Sequence, residues 1–435
     1  MVFNLAQKKL SENETQKILA NIGWLSTERL IRMALGFIVG VWVSRYLGPE
    51  QLGLYSYAIS FIIIFGVLAT LGLERIVVRE FVRFPDRTDQ ILGTALILKI
   101  FAAIATYLLI ILCSHLLHSE NPETHLIVSV IGLGVIFQAL DPVDFWFQSQ
   151  VQSKYTAYAK SVAFLLVALS RVILILIHAP LLAFAWTGVA EILITTLGLV
   201  VAFVWKKPMN RSLAYCHRIA KQLLRDSAPL ILSGIMIMIY GRIDQIMILR
   251  ISGEYEAGLY SAAVTLAEAW NFVPLIVVPS VLPNIIETWQ TDEGLFYQKL
   301  QFLYNSIVGF FLLIAVPTTL LSWWIIPVVF GADYAGASPM LAILIWASLF
   351  SGLGIARSSF LTAMNWASLH FLTVAGGCVI NVSLNFAFIP MFGGLAAAVT
   401  TLISYSFAGY FSCFFSKRLI RNGKMMTAAL CLRWR

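Results

Sequence analysis

Apolar stretches long enough to cross a bilayer alternate with short polar segments along almost the whole chain. A hydrocarbon core of about 30 Å needs about 20 apolar residues per helix. That window predicts twelve spans: 19–43, 52–73, 91–114, 126–147, 156–177, 181–205, 227–250, 257–286, 302–326, 337–363, 368–390 and 394–416. The eighth holds Pro274, Pro279 and Pro283, which lack backbone donors and predict a kink or break. The N-terminal 17 residues are polar and show no cleavable signal pattern.

The polar segments divide by charge. With the N-terminus in the cytoplasm, the inside segments hold 21 Lys and Arg, and the outside loops hold only Arg45 and Arg250. The positive-inside rule therefore places both termini in the cytoplasm. Composition agrees with a membrane chain. Hydrophobic residues make up 59% and charged residues 12%, where a soluble domain carries about 25% charged. The net charge of +8 lies in short loops, where it sets topology and implies no nucleic acid. Cys113, Cys216, Cys378, Cys413 and Cys431 form no CxxC pair, so neither a metal site nor a disulfide framework is expected. Neither G-x-x-x-x-G-K-[ST] nor H-E-x-x-H occurs.

A 17-residue stretch occurs twice, 205 residues apart: RYLGPEQLGLYSYAISF at 45–61 and RISGEYEAGLYSAAVTL at 250–266. Seven positions match, Gly48/Gly253, Gly53/Gly258, Tyr55/Tyr260 and Ser56/Ser261 among them. Each copy follows the first span of a six-span half. The expected fold is an all-α integral membrane protein of about twelve transmembrane helices, in two six-helix lobes around a central cavity. The lobes are parallel repeats related by an axis along the membrane normal, with the functional site between them. The expected divisions are an N-terminal lobe at 1–205, a basic cytoplasmic linker at 206–225, a C-terminal lobe at 226–416 and a basic cytoplasmic tail at 417–435. The repeated Gly and Tyr are read as turn and packing residues at helix ends.

Seven cations fall within the spans: Arg29, Arg32, Lys99, Lys160, Arg171, Arg242 and Arg357. Each costs about 2.5–3.5 kcal/mol at a helix centre, so each must snorkel, pair or face water. Lys160 is near an end and can snorkel. Arg171 and Glu191 lie at similar depths on a tight helical hairpin and are expected to pair. Glu28 lies four residues before Arg32 and can pair with it, leaving Arg29. Arg242 and Asp244 are two apart and point to different faces. The remaining positive charge, on the first helix of each half, suits a phosphate or pyrophosphate, which guanidinium binds bidentately. Arg29, Arg32, Arg242 and Arg357 are the candidates for that role. Inter-lobe salt bridges are the competing reading. Asn381 and Asn385, one turn apart on the eleventh span, could with Asp244 and Thr401 form an oxygen-rich site for a coupling ion; buried Asn also joins helices by hydrogen bonds.

RYLGPEQLGLYSYAIS resembles the segment after the first helix of Wzx-type O-antigen and polysaccharide flippases, of the multidrug/oligosaccharidyl-lipid/polysaccharide exporter superfamily. LGLERIVVRE at 71–80, DPVDFWFQSQ at 141–150 and RIDQIMILRISGEYEAGLYSAA at 242–263 follow in the family's order. The resemblance spans nearly the whole chain and implies alternating access that carries an undecaprenyl-pyrophosphate-linked oligosaccharide to the outer leaflet of a bacterial cytoplasmic membrane. No cofactor is expected beyond a coupling ion, Na⁺ or a proton, at the Asp244, Asn381, Asn385 and Thr401 site. The implied partners are the lipid-linked oligosaccharide, membrane lipid, and glycan polymerase or chain-length machinery. Arg29, Arg32 and Arg242 match the family's cationic-cavity pattern. The two extra spans of the peptidoglycan-precursor branch have no counterpart here.

Three other readings remain. A multidrug/cation antiporter of the same superfamily would favour an acidic and aromatic cavity. The span acids are Glu28, Asp141, Asp144, Glu191, Asp244 and Glu268, six against seven cations. A polytopic glycan polymerase or ligase would need a sizeable extracytoplasmic loop, and the outside loops are about a dozen residues at most. A major-facilitator transporter would carry a G-x-x-x-D-R-x-G-R loop after its second helix, where residues 72–87 read GLERIVVREFVRFPDR.

Overall fold

A computed structural model describes residues 12–117, 121–206, 213–289, 291–364 and 366–432, with side chains from Arg32 onward apart from Ala367. The described residues are helical, with no strand. The helices are α1 (Glu12–Thr70), α2 (Glu74–Arg83), α3 (Thr88–Leu117), α4 (Pro122–Phe137), α5 (Pro142–Ser149), α6 (Lys154–Leu176), α7 (Leu181–Lys206), α8 (His217–Ser252), α9 (Glu254–Glu268), α10 (Phe272–Glu287), α11 (Glu293–Phe330), α12 (Ser338–Ala363), α13 (Ala367–Gly409) and α14 (Ile420–Leu430). They form the twelve expected spans. α1 supplies two, because Gly48 at φ 72° breaks it ahead of Pro49. α13 supplies two, broken at Gly393 with φ 57°. Both breaks use the left-handed backbone that glycine adopts without a Cβ penalty. α4 with α5 makes the fourth span and α9 with α10 the eighth.

The eighth span does break, but at 269–271, where a 3₁₀ turn separates α9 from α10. Pro274 sits in the first turn of α10, where its missing N–H costs nothing, while Pro279 and Pro283 lie inside that helix. The last span ends at Gly409, earlier than expected. The basic tail contains a helix not read from the sequence. α14 packs on α11 through buried Met426, the Arg421–Glu293 ion pair at 2.9 Å and the Arg421 guanidinium 3.2 Å from the Tyr297 ring centre. Apolar side chains such as Phe101, Leu108, Leu313 and Phe386 are more than half exposed, as a lipid-facing belt requires.

The two copies of the repeat lie against each other. Ser56 and Ser261 hydrogen-bond at 2.6 Å across the lobes. Gly53 packs on the backbone of Glu254 and Gly258, and Gly258 packs on the carbonyl of Pro49. Ser56 faces Ser261 and Gly53 faces Gly258, each its own counterpart 205 residues away, so the pseudo-twofold axis of the lobes runs between the two serines. Gly48 and Gly253 do set helix ends, at φ 72° and 91°. Gly53 and Gly258 have a different use: they permit backbone-to-backbone closure of the lobes at this motif end. A seam joins the lobes, with Ser60 of the second span donating to Gln245 Oε1 of the seventh at 3.0 Å and Arg79 of α2 paired with Asp226 of α8 at 2.6 Å.

Glu254 is expected to make that closure sensitive to pH. Asn121 of the other lobe donates to its carboxylate at 3.4 Å. Burial raises the Glu254 carboxyl above its ordinary 4.5, and the nearby Glu123 and Glu50 raise it further against the Asn121 hydrogen bond. A group with a raised value in the closed arrangement favours closure when protonated. That contribution is full below the ordinary value and is lost as pH rises through the raised one. Closure, read as the distance between spin labels on an S56C/S261C variant, is expected to weaken as pH rises from the ordinary 4.5 through the raised value. E254Q should flatten the profile, and an unchanged profile in E254Q would remove Glu254 as its cause.

Candidate functional site

The C-terminal lobe encloses a cavity of about 320 Å³ between α8, α12 and both halves of α13. Arg357 lines it and is 2% exposed. Its Nη1 donates to Ser412 Oγ at 2.7 Å and its Nη2 to Thr373 Oγ1 at 2.8 Å. Its Nε is buried without a partner, and among the described residues no carboxylate pairs with it. His370, on the same wall, has a buried Nδ1 that also lacks a partner. Tyr240 and Tyr405, with ring centres 4.8 Å apart, form another wall. A buried guanidinium with no counter-charge is costly, and an anion entering the cavity would relieve that cost.

The N-terminal lobe holds a cavity of about 500 Å³. It is lined by Arg32 of the first span, the 138–144 break of the fourth, Lys160 of the fifth and Glu191 of the sixth. The C-lobe cavity uses the seventh, tenth, eleventh and twelfth spans, so equivalent spans build both. Pro142 has no N–H to continue α4, and the resulting 3₁₀ turn at 138–140 turns Asp141 and Asp144 towards the cavity. Lys99, 1% exposed, meets Asp141 Oδ2 at 2.6 Å. Lys160 meets Asp144 Oδ2 at 3.2 Å, and Thr156 donates to Asp144 Oδ1 at 2.6 Å. Pairing therefore accompanies the snorkelling expected of Lys160. Arg171 departs from expectation: its Nε donates to Thr187 Oγ1 at 3.0 Å, one turn before Glu191, which lines the cavity instead.

Between the cavities and the motif end lies a buried polar cluster. Asp244 accepts from Asn385 Nδ2 at 2.5 Å, Thr401 Oγ1 at 2.7 Å and Tyr260 OH at 2.9 Å. Asn385 Nδ2 also reaches Asn381 Oδ1 at 3.2 Å, and Asn385 Oδ1 accepts from Thr400. Asp244, Asn381, Asn385 and Thr401 thus converge from three spans. As arranged, protein donors satisfy the carboxylate. A hard cation such as Na⁺ would need Asn385 to present its carbonyl oxygen in place of its amide nitrogen.

The four candidate arginines do not gather at one point. Arg32 and Arg357 line separate cavities. Arg242 pairs with Glu268 Oε2 at 3.6 Å, both side chains about one-third exposed. The side chain of Arg29 lies outside the described residues. Sequence reasoning missed His370, Tyr260 and Thr400. For Tyr260 a signal existed in the repeat itself; for the other two none did.

A family model described as "Polysaccharide biosynthesis protein" matches residues 18–289. The capsular polysaccharide biosynthesis protein CapF of Staphylococcus aureus is 21% identical over 418 residues, which cover 92% of this chain and 99% of that protein. The membrane protein MJ1068 of Methanocaldococcus jannaschii is 20% identical over 438 residues, 94% of this chain and 85% of that one. Among solved structures, an inward-facing multidrug resistance MATE family transporter of the MOP superfamily superposes with a TM-score of 0.66 at 15% identity, covering 92% of this chain and 96% of that one. The lipid II flippase MurJ, in an inward closed conformation, also gives 0.66 at 15% identity, covering 94% and 91%. At such identities the likeness is one of fold, that of twelve helices in two lobes. The family match reaches from the first span into the eighth, more than half of the length, and the chain is a multi-pass membrane protein that belongs to the polysaccharide biosynthesis protein family.

Proposed function

We propose that this protein is a transporter, without enzymatic activity, that flips a polyprenyl-pyrophosphate-linked oligosaccharide across a bacterial cytoplasmic membrane by alternating access. The observation that carries the reading is Arg357: a buried guanidinium with no carboxylate partner, its Nε unused, beside His370 in a cavity. The pyrophosphate binds there, the glycan stays in the polar space between the lobes and the prenyl chain remains in lipid. A pyrophosphate crossing bare hydrocarbon would face a barrier of many kcal/mol, which a polar path through the protein removes. The charge pattern puts the motif end outside and the termini inside. Closure at Ser56–Ser261 then corresponds to a state sealed on the outer face, and rocking of the lobes about the pseudo-axis would open it. The Asp244 cluster is the proposed seat of a coupling ion, which a proton can occupy without rearrangement of Asn385.

The lipid-linked glycan and the surrounding membrane lipid are the proposed partners, with polymerase and chain-length machinery receiving the product. A cation antiporter is the second reading, because Asp141, Asp144 and Glu191 line the N-lobe cavity. Two of those three carboxylates already hold a lysine, at 2.6 and 3.2 Å, which leaves less negative charge for a cationic substrate.

Arg357→Lys keeps the charge but loses the planar fork. It is expected to lower surface-glycan export by about tenfold or more, with lipid-linked oligosaccharide accumulating in cells that contain normal amounts of the protein. Full export by Arg357→Lys and Arg357→Met variants at normal protein levels would sink the reading.

A further inference from the structure

We infer that the N-lobe cavity is the sugar-binding half of a divided substrate site, taking the neutral, hydroxyl-rich glycan while the C-lobe cavity takes the pyrophosphate; this rests on the function proposed above. The two cavities are built from equivalent spans, so the axis between Ser56 and Ser261 relates them. One ligand with two chemically different parts can therefore engage both lobes from the space between them.

Their chemistry has diverged. Among the described residues, the C-lobe cavity presents Arg357 and His370 and no carboxylate. Among the described residues, the N-lobe cavity balances Arg32, Lys160 and the buried Lys99 behind it against Asp141, Asp144 and Glu191. An anion entering it meets three carboxylates, and a cation meets three cations. A neutral polyol gains from donors and acceptors of both kinds without either penalty.

The polar groups are also held in place. Lys99 grips one oxygen of Asp141, whose side chain stays 39% exposed and can accept from a hydroxyl. Asp144 is fixed between Thr156 and Lys160, and the Lys160 side chain is 43% exposed with further donors to offer. Gln138 and Thr195 add neutral donors and acceptors to the wall. Fixed polar groups discriminate strongly, because a ligand lacking the matching hydroxyl leaves them unpaired. A volume of about 500 Å³ lies within the range of small-molecule sites.

Single reporters separate the two halves: T195C in the N-lobe cavity and S351C in the C-lobe cavity. G188C and G241C serve as alternates, since nothing lies within 4 Å of a Cβ at either glycine. Each variant, in membranes, is challenged with a maleimide and labelling is read peptide by peptide, so the native cysteines do not interfere. The two probes are bare undecaprenyl pyrophosphate and the lipid-linked oligosaccharide extracted from the host strain lacking this protein. The glycosylated lipid is expected to protect both reporters, and the bare lipid only S351C. Adding E191Q should weaken protection of T195C by about tenfold and leave S351C unchanged. Protection of S351C alone by the glycosylated lipid would overturn the sugar assignment and leave the proposed function standing. Equal protection of T195C by the bare lipid would overturn it too, since phosphate or prenyl chain would then fill that cavity. If neither lipid protects S351C, the proposed function itself fails.

Discussion

Gly258→Ala is expected to prevent the lobes from closing at the motif end. A methyl group there would overlap the Pro49 carbonyl oxygen, and a backbone carbonyl inside a packed interface cannot swing aside as a side-chain tip can. Gly53 meets the same obstacle from the other lobe, with the Gly258 nitrogen 2.8 Å from where its Cβ would sit. Helix propensity works in the opposite direction, since alanine is better than glycine inside a helix by about 1 kcal/mol. A loss of closure would therefore come from the interface and leave the helix intact. Oxidative cross-linking of S56C/S261C measures it, because the two hydroxyls stand 2.6 Å apart when the end is closed. The cross-link should form readily in the parent, arrest glycan export and release it on reduction. With Gly258→Ala the yield should drop severalfold at unchanged protein levels. Gly66→Ala is the control, with nothing within 4 Å of its added Cβ. Undiminished cross-linking in Gly258→Ala would show that the close approach is not needed.

Asp244→Ala should be the most damaging change in the C-terminal lobe. It strips the acceptor from Tyr260, Thr401 and Asn385 together, where Asp244 is 4% exposed. Thr401 can fall back on the Ala397 carbonyl and Tyr260 on Thr401 Oγ1, so one Asn385 amide hydrogen is left unpaired, at about 1–3 kcal/mol, and the buried side-chain volume is lost with it. A marked fall in thermal midpoint of the purified protein is the expected result. Asp244→Asn keeps the volume and one acceptor oxygen but turns an N–H₂ group towards groups that are already donors. It should retain more stability than Asp244→Ala and still lose the stimulation of export by an ion gradient, measured with proton and Na⁺ gradients imposed separately on vesicles. Export by Asp244→Asn with full gradient dependence would remove the cluster from coupling.

Much of the architecture is legible in the chain. Twelve spans follow from apolar run length, because a backbone in lipid must satisfy its own hydrogen bonds and only helices of sufficient length do so. Breaks were less legible. Three prolines announce the interruption of the eighth span, yet it falls at 269–271, ahead of all three, since Pro274 is tolerated in a first turn and the turn's position depends on neighbouring helices. The candidate ion cluster was readable in part. Asn381 and Asn385 share a face by helical spacing, but their meeting with Asp244 and Thr401 depends on the rotation and depth of three separate helices.

The repeat shows the division between what the sequence determines and what the tertiary structure decides. Sequence alone establishes the two equivalent halves, the short loops that carry the motif copies and the glycines at Gly48 and Gly253 that turn the chain. These follow from local sterics and from matched residues along one chain. Only the packed structure brings Ser56 to Ser261, sends Arg32 and Arg357 into two opposed cavities and sets Lys99 against Asp141. Those outcomes depend on the azimuth and depth of each helix relative to partners far away in the chain, and such quantities are fixed by the summed packing of all twelve spans.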